Sequence, residues 1–476
     1  MKGKDTMNSK YSLNFKLVLL ILSLTLMSGL STAETLQEIY ELALRNDSQL
    51  KADIAAYEAG KEGKKIGLSN LLPNINGGVS YSDSSRDSEG QQVFNGIPVG
   101  PASTSTTDST STGYSASLSQ PLFDLPAWYS YKQGNLNTEQ AEIQFKADQQ
   151  AFIIRVAQAY FNVLRAIDGL ETSIAEQTAL ESQLEQTRQR FEVGLTAITD
   201  VYEAQASYDS AVANTLSSRG NLGIAYEALA VLTGQAHDSV APVVENFQAV
   251  NPVPENRADW VDFAMQNNYN LESARLNAEA SRLTSKIRTS AHLPTLSADI
   301  RYSHNDGDTE SSLNPGSISN SISDTTSYSI NLNVPIYSGG RTSAQRRQAY
   351  QNYMRAQELY NSTQRQTIQS ARSLHLAVET SVAQVAARQQ AIVSNQSALE
   401  ATQAGYEVGT RNLVDVLQAQ RSLFLAQRAY YTALYDYILN TLSLKQAAGL
   451  LNPKDIEELN QFLDSANQVN RSDFEQ

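Results

Sequence analysis

Two short stretches hold the side chains with chemistry to offer. Tyr406 to Gln420 reads YEVGTRNLVDVLQAQ, and Phe191 to Gln205 reads FEVGLTAITDVYEAQ. Setting Phe191 against Tyr406 places Val193, Gly194 and Asp200 on Val408, Gly409 and Asp415. A carboxylate so placed has two uses. Asp415 follows Asn412 at the spacing of a helix N-cap and its N3 acid, and Asp200 after Thr199 offers the same. If copies of the chain surround one axis, Asp415 instead becomes a ring of carboxylates whose field attracts cations and repels anions. Arg411 and Tyr406 lie in the same stretch and can tie one hairpin to its neighbour through Asp200 and Thr199. A charge-assisted tie of that kind contributes about 1 kcal/mol where partly desolvated. It would act as a latch.

Nothing else in the chain suggests catalysis. His237, His292, His304 and His375 are far apart, with no paired spacing and no carboxylate at ligand distance in sequence. There is no P-loop, no dinucleotide glycine fingerprint and no nucleophile elbow; Gly339-Gly340 after Ser338 reads as a strand-to-helix turn. No catalytic, cofactor-binding or metal-ligating residue is expected, and no cofactor. The absence of cysteine removes disulfides, thiolate metal sites, Cys nucleophiles and an N-terminal Cys lipid anchor. A net charge of −14 argues against nucleic acid and anionic membrane surfaces as partners.

The elements that must position the two stretches are strands and very long helices. Met1 to Ala33 reads as a secretory signal, with Lys2, Lys4, Lys10 and Lys16 before a short apolar run and Ser31-Thr32-Ala33 at the cleavage position. Thr35 and Glu38 then form a capping box that opens a helix. From Leu72 the period becomes two: Pro73, Ile75, Gly77, Val79 and Tyr81 share one face, with Asn and Ser on the other. Pro294, Leu296, Ala298, Ile300 and Tyr302 repeat that pattern. Return strands follow at Tyr114–Leu118 and at Tyr328–Ile336. Strands of about 10 residues, apolar on one side only and carrying Tyr at the loop end, suit the wall of a transmembrane barrel. The segments from Tyr81 to about Gly113, including the run Ser103–Thr112, and from Tyr302 to about Thr326 read as long extracellular loops.

Four strands cannot close a barrel, and open edges in lipid leave backbone groups unsatisfied at several kcal/mol each. Twelve strands from three chains is the smallest set of fours expected to leave a channel. The long helical tracts carry only narrow seams, such as Val378, Val382, Val385, Gln389, Ile392, Gln396 and Leu399, which suits a curved wall wet on both faces. The chain therefore divides into a signal (1–33), a first repeat (34–250) and a second repeat (251–450), ending in a C-terminal helix and disordered tail (451–476). The first repeat has strands at about 72–82 and 114–123 and a helical hairpin at about 127–234. The second has strands at about 293–303 and 328–337 and a hairpin at about 342–449.

Most of the mature chain, from the Ala43–Leu50 helix to about Leu459, resembles the TolC family of outer-membrane channel proteins. The resemblance is carried by VGLTAITDV (Val193–Val201), VGTRNLVDVL (Val408–Leu417), HLPTL (His292–Leu296) and VPIY before Gly339-Gly340. It implies an α+β membrane protein: a homotrimeric 12-stranded β-barrel, four strands per chain, continued by a long periplasmic α-helical barrel, internally duplicated and girdled by an equatorial region. It implies a duct in the outer membrane of a Gram-negative bacterium, serving tripartite efflux pumps or type I protein secretion. The partners implied are two further copies, outer-membrane lipid, a periplasmic adaptor and an inner-membrane transporter of the RND, ABC or MFS type. Val193, Gly194, Leu195, Val408, Gly409 and Thr410 would dock the adaptor. Asp415 would belong to the entrance ring, and Thr199, Asp200, Tyr406 and Arg411 to the constriction. The family's second entrance acid falls on Gln418, leaving one charged ring in place of two. Competing readings are a dedicated metal-ion efflux duct, a surface receptor or adhesin that uses Ser103–Thr112, and a soluble coiled-coil scaffold.

Overall fold

A computed structural model of the protein describes residues 34–244, 247–312, 316–464 and 469–470. The expected signal, Met1 to Ala33, lies outside the described residues, as does most of the polar tail. The chain forms two compact units. One is made of Asp53–Ala147 and Tyr269–Thr367; the other is made of the described parts of Met1–Ala52, Asp148–Asn268 and Ile368–Gln476. Each unit draws on both halves of the duplication.

In chain order the helices are α1 (Leu36–Asn46), α2 (Ser48–Lys61), α3 (Gly63–Ser69), α4 (Leu125–Glu192) and α5 (Ile198–Thr233). They continue with α6 (Arg257–Asn267), α7 (Tyr269–Ser290), α8 (Arg341–Glu407), α9 (Leu413–Ala447) and α10 (Lys454–Asn460). The strands are β1 (Asn74–Gly90), β2 (Val93–Phe94), β3 (Ile97–Pro98), β4 (Ser103–Phe123), β5 (Ser239–Val240), β6 (Thr295–Ser311), β7 (Ile318–Asn333) and β8 (Val469–Asn470). No described helix is long and apolar enough to cross a membrane.

The first unit holds an antiparallel sheet in the order β1-β4-β6-β7, with β1 and β7 as its edges. Its register sets Ile75 against Leu118, Leu118 against Ile300 and Ile300 against Tyr328, so the apolar side chains of all four strands share one face. That face is open: Val79 is 90% exposed. Nothing among the described residues covers it.

The strands run further than the alternation of apolar residues. Ser103–Thr112, expected as a loop, is the first half of β4 and pairs with Tyr81–Gly90. Ser and Thr on both faces erase the period-two signal, yet β-branched Thr fits a pleated surface and hydroxyls pair across it. Ser82 and Ser111 share a hydrogen bond of 2.8 Å, and the Thr106 hydroxyl donates to Asp87 at 2.6 Å. β2 and β3 cap the ribbon through Asn95 and Gly96, with φ of 50° and 80°. Both angles are positive, as a tight hairpin turn requires. At the other end β7 stops at Asn333, short of the expected 337, because Pro335 has no N–H to donate.

In the same unit α3 lies against the start of α4. A Cβ on Gly67 would stand 2.9 Å from the Ser130 carbonyl, so only glycine fits there. Tyr57 stacks on Phe145 at 5.0 Å, and Gln133 donates to Thr284 at 2.7 Å, tying α4 to α2 and α7.

The second unit buries Phe152, Val156, Tyr160 and Leu164 of α4 against Leu434, Tyr435, Ile438 and Leu442 of α9. In the seam along α8, Val378, Val385 and Leu399 are buried while Gln389 and Gln396 are exposed. The proline-rich connection is laced onto these helices. Val250 exchanges hydrogen bonds of 3.0 Å with the Tyr437 hydroxyl, and Trp260 donates to the Pro254 carbonyl at 2.7 Å. His375 meets the Glu255 carbonyl at 3.0 Å, and His237 lies between Glu34 and Thr233. These histidines are structural contacts. β8, in the tail, pairs with β5.

Asp168 on α4 accepts a hydrogen bond from Tyr435 on α9. Burial raises the Asp168 carboxyl to about 7, against the downward pull of the Tyr435 bond, and burial likewise raises the Tyr435 phenol. The folded state therefore favours protonated Asp168, so its contribution is fully present below the ordinary carboxylate range and is lost as pH rises through 7. Urea or thermal unfolding should show stability falling between about pH 4 and pH 7 by up to about 1.4 kcal/mol per pH unit from this group, and levelling off above that. In Asp168→Asn that component of the slope should be gone; an unchanged slope would remove Asp168 as its source.

Candidate gate at the hairpin tips

Each long helix of a hairpin ends in the same way. Gly194 and Gly409 have φ of 77° and 78°, the left-handed region expected for both. The Leu195 N–H reaches back to the Arg190 carbonyl at 2.8 Å, and the Thr410 N–H to the Gly405 carbonyl at 2.8 Å. These bonds satisfy carbonyls that the ending helix leaves free. Val193, Leu195 and Val408 are exposed around the turns, with Thr410 beside them.

The helices that leave the turns start differently. At α9 the Asn412 side chain accepts from the Asp415 N–H at 2.8 Å, and the Asp415 carboxylate accepts from the Asn412 N–H at 3.3 Å. This is a reciprocal cap. At α5 the N-cap is Ala197, with no side-chain bond. Asp200 instead takes the Thr196 hydroxyl, and Thr199 is exposed. Thr199 is therefore not the cap that its spacing to Asp200 suggested.

Arg411 turns back toward Asp415, its Nη1 3.9 Å from Oδ2, with both side chains substantially exposed. Such a contact is weak. Tyr406 is buried, and its hydroxyl has no hydrogen-bond partner among the described residues. Within one chain no hydrogen bond or ion pair joins Arg411 or Tyr406 to Thr199 or Asp200 among the described residues. Gln418 is exposed one turn beyond Asp415 and points its amide at Ser422, 3.5 Å away.

One contact escaped the sequence reading. The Arg190 guanidinium sits over the Tyr406 ring, 4.7 Å from its centre, and joins the two tips directly. The duplication offered a signal for it, because Arg190 occupies the position that Gly405 holds in the second tip. A Cβ on Gly405 would come 2.8 Å from Arg411 Cγ, so glycine there gives Arg411 room to fold back. Beneath both turns Leu184, Ala204, Leu399, Tyr406, Leu413, Val416 and Leu423 form one small apolar cluster.

The profile of a family described as outer membrane efflux protein matches residues 39–235 and 260–450. The chain is 36% identical over 429 residues to the outer membrane protein TolC of Vibrio cholerae, covering 90% of this chain and 93% of that one. It is 30% identical over 464 residues to the proteases secretion protein PrtF of Dickeya chrysanthemi, covering 96% and 97%. Among solved structures, the CmeC outer membrane channel of Campylobacter jejuni superposes with a TM-score of 0.70 at 18% identity, covering 90% of each chain.

The cap at α9 is local and testable. Asn412→Ala should cost about 1 kcal/mol at the start of α9. Hydrogen exchange of the 413–416 amides should accelerate about fivefold, and unchanged protection would mean that Asn412 does not hold this terminus.

Proposed function

Since the chain belongs to the outer membrane efflux protein family, the TolC family, we propose that it is an outer-membrane exit duct for efflux pumps and type I protein secretion, reaching into the periplasm and gated at its hairpin tips. The observation that carries this reading is the four-stranded sheet, open at both edges and apolar on one face, in the same chain as two helical hairpins with matching turns. Three copies complete a twelve-stranded barrel, and their helices enclose the channel below the membrane. An exposed stripe along α5, formed by Tyr202, Leu216, Ile224 and Val231, supports lateral packing of neighbouring copies. The duct supplies no chemistry and no energy. An inner-membrane transporter drives export, and an adaptor engages the exposed turns at Val193–Leu195 and Val408–Thr410.

Around a shared axis the Asp415 carboxylates converge, and Gln418 adds no second charge. The entrance then prefers cations by the field of one acidic ring. The Tyr406 hydroxyl and the exposed Arg411 head find their partners on Thr199 and Asp200 of an adjoining hairpin, which closes the tips. The secretion role draws support from the relatives called PrtF and AprF, whose names tie them to protease secretion.

Planar-bilayer recording tests both parts. Tyr406→Phe combined with Arg411→Glu should raise single-channel conductance several-fold, and Asp415→Asn should move the reversal potential toward zero in a salt gradient. Parental conductance in the first variant and parental selectivity in the second would overturn the latch and the filter respectively.

A further inference from the structure

Charge is spread unevenly over the unit that holds the sheet. At the helix end of the sheet the chain passes through four segments, 61–73, 124–135, 283–294 and 334–349. Together they carry nine Lys and Arg against two Asp and Glu. The remaining helical residues of the unit, 53–60, 136–147, 269–282 and 350–367, carry five against seven. At the opposite end of the strands, 82–90, 103–113, 303–311 and 318–327 carry one against eight. The net charge of −14 conceals this reversal across the sheet.

The bases nearest the sheet are also those the chain leaves unneutralised. Farther along the helices Lys146 pairs with Glu142, Arg275 with Glu272 and Arg282 with Glu279. Arg355 and Arg365 of α8 are unpaired, but they lie in the group of segments where acids outnumber bases. Near the sheet Lys64, Lys132, Lys286 and Arg288 form no ion pair among the described residues, nor do Arg341, Arg346 and Arg347 at the start of α8. The two acids there are already engaged: Glu62 by Lys65 at 2.9 Å, and Asp124 by the Ala127 N–H at 2.8 Å. Two lysines rest on aromatic faces instead, Lys132 over Trp128 at 5.4 Å and Lys286 over Tyr129 at 5.6 Å. α8 opens on Arg341 with no acid in its first turn, an arrangement its own dipole disfavours.

Between the strands and these bases, in chain order, come the exposed residues Leu72, Leu122, Phe123, Trp128, Ile336 and Tyr337. An apolar wall, an aromatic and apolar fringe, then Lys and Arg is how a membrane-crossing wall meets a headgroup layer.

We propose that this collar binds anionic phospholipid in the leaflet on the helix side of the sheet, its guanidinium and ammonium groups meeting the lipid phosphates. The proposal rests on the sheet standing in a membrane, and not on what the duct exports or how it is gated. Charge complementarity selects the lipid. Bases with no carboxylate partner in the chain hold an anionic headgroup more strongly than a zwitterionic one, whose own ammonium cancels much of the attraction. The acidic far end repels the same lipid, so only one rim of the sheet holds it.

Spin-label spectroscopy of the full chain in phosphatidylcholine vesicles tests the collar. Lipid held against the protein gives a motionally restricted component. Labelled phosphatidylglycerol should enter it about threefold more readily than labelled phosphatidylcholine at low salt. High salt should bring that ratio toward one. Lys286→Gln/Arg288→Gln/Arg346→Gln/Arg347→Gln should remove most of the preference. Glu272→Gln/Arg275→Gln/Glu279→Gln/Arg282→Gln, which deletes both members of the two pairs on α7, should keep it. Both variants should restrict as much labelled phosphatidylcholine as the parent, which reports that they are folded. Equal uptake of the two lipids by the parent, a preference that salt leaves unchanged, or a collar variant with parental preference overturns the collar. A parent that restricts neither lipid does not stand in the membrane, and overturns the barrel with it.

Discussion

The rest of the structure depends on two rows of unpaired backbone. In the sheet β1-β4-β6-β7 the outer edges of β1 and β7 carry N–H and C=O groups with no neighbouring strand among the described residues. Beside them lies a face on which Ile75, Val79, Ile330 and Leu332 are all exposed. Water would satisfy the edges but not the face; lipid would satisfy the face but not the edges. Closure by further copies satisfies both. Once copies are arranged around an axis, every residue near that axis is multiplied.

Duplication then explains how one motif serves two purposes. Both tips reverse the chain through a left-handed glycine and return a backbone bond five residues back. They differ in the residues that charge and brace them. The second tip has Asn412 and Asp415 in a reciprocal cap, and Gly405 makes space for Arg411. The first has an uncapped Ala197 start, and Arg190 where the second has glycine. Arg190 therefore packs on Tyr406, so the tips are joined by a cation over a ring. The small cluster at the tips is distinct from the larger core.

Much of this was legible in the residues themselves. Period-two alternation from Ile75 to Tyr81 and from Leu296 to Tyr302 marks the membrane-facing strands because one face must be apolar. The glycines at the turns mark chain reversal because few other residues adopt positive φ. Ser103–Thr112 was not legible as strand, since a sheet polar on both faces has no alternation to read. Asp200 looked like a capping acid after Thr199, but its partner is the Thr196 hydroxyl, a choice made by turn geometry. Arg190 over Tyr406 and Arg428 donating to Glu176 are contacts between distant segments, and spacing along a helix is silent about them.

The account is tested most directly by counting chains. Native mass spectrometry of the protein purified from outer membranes in detergent should find three chains as the stable species, with no stable monomer when the detergent is exchanged. A water-soluble monomer would contradict the account at its root. A dimer would too, because eight strands close around their own side chains and leave no channel.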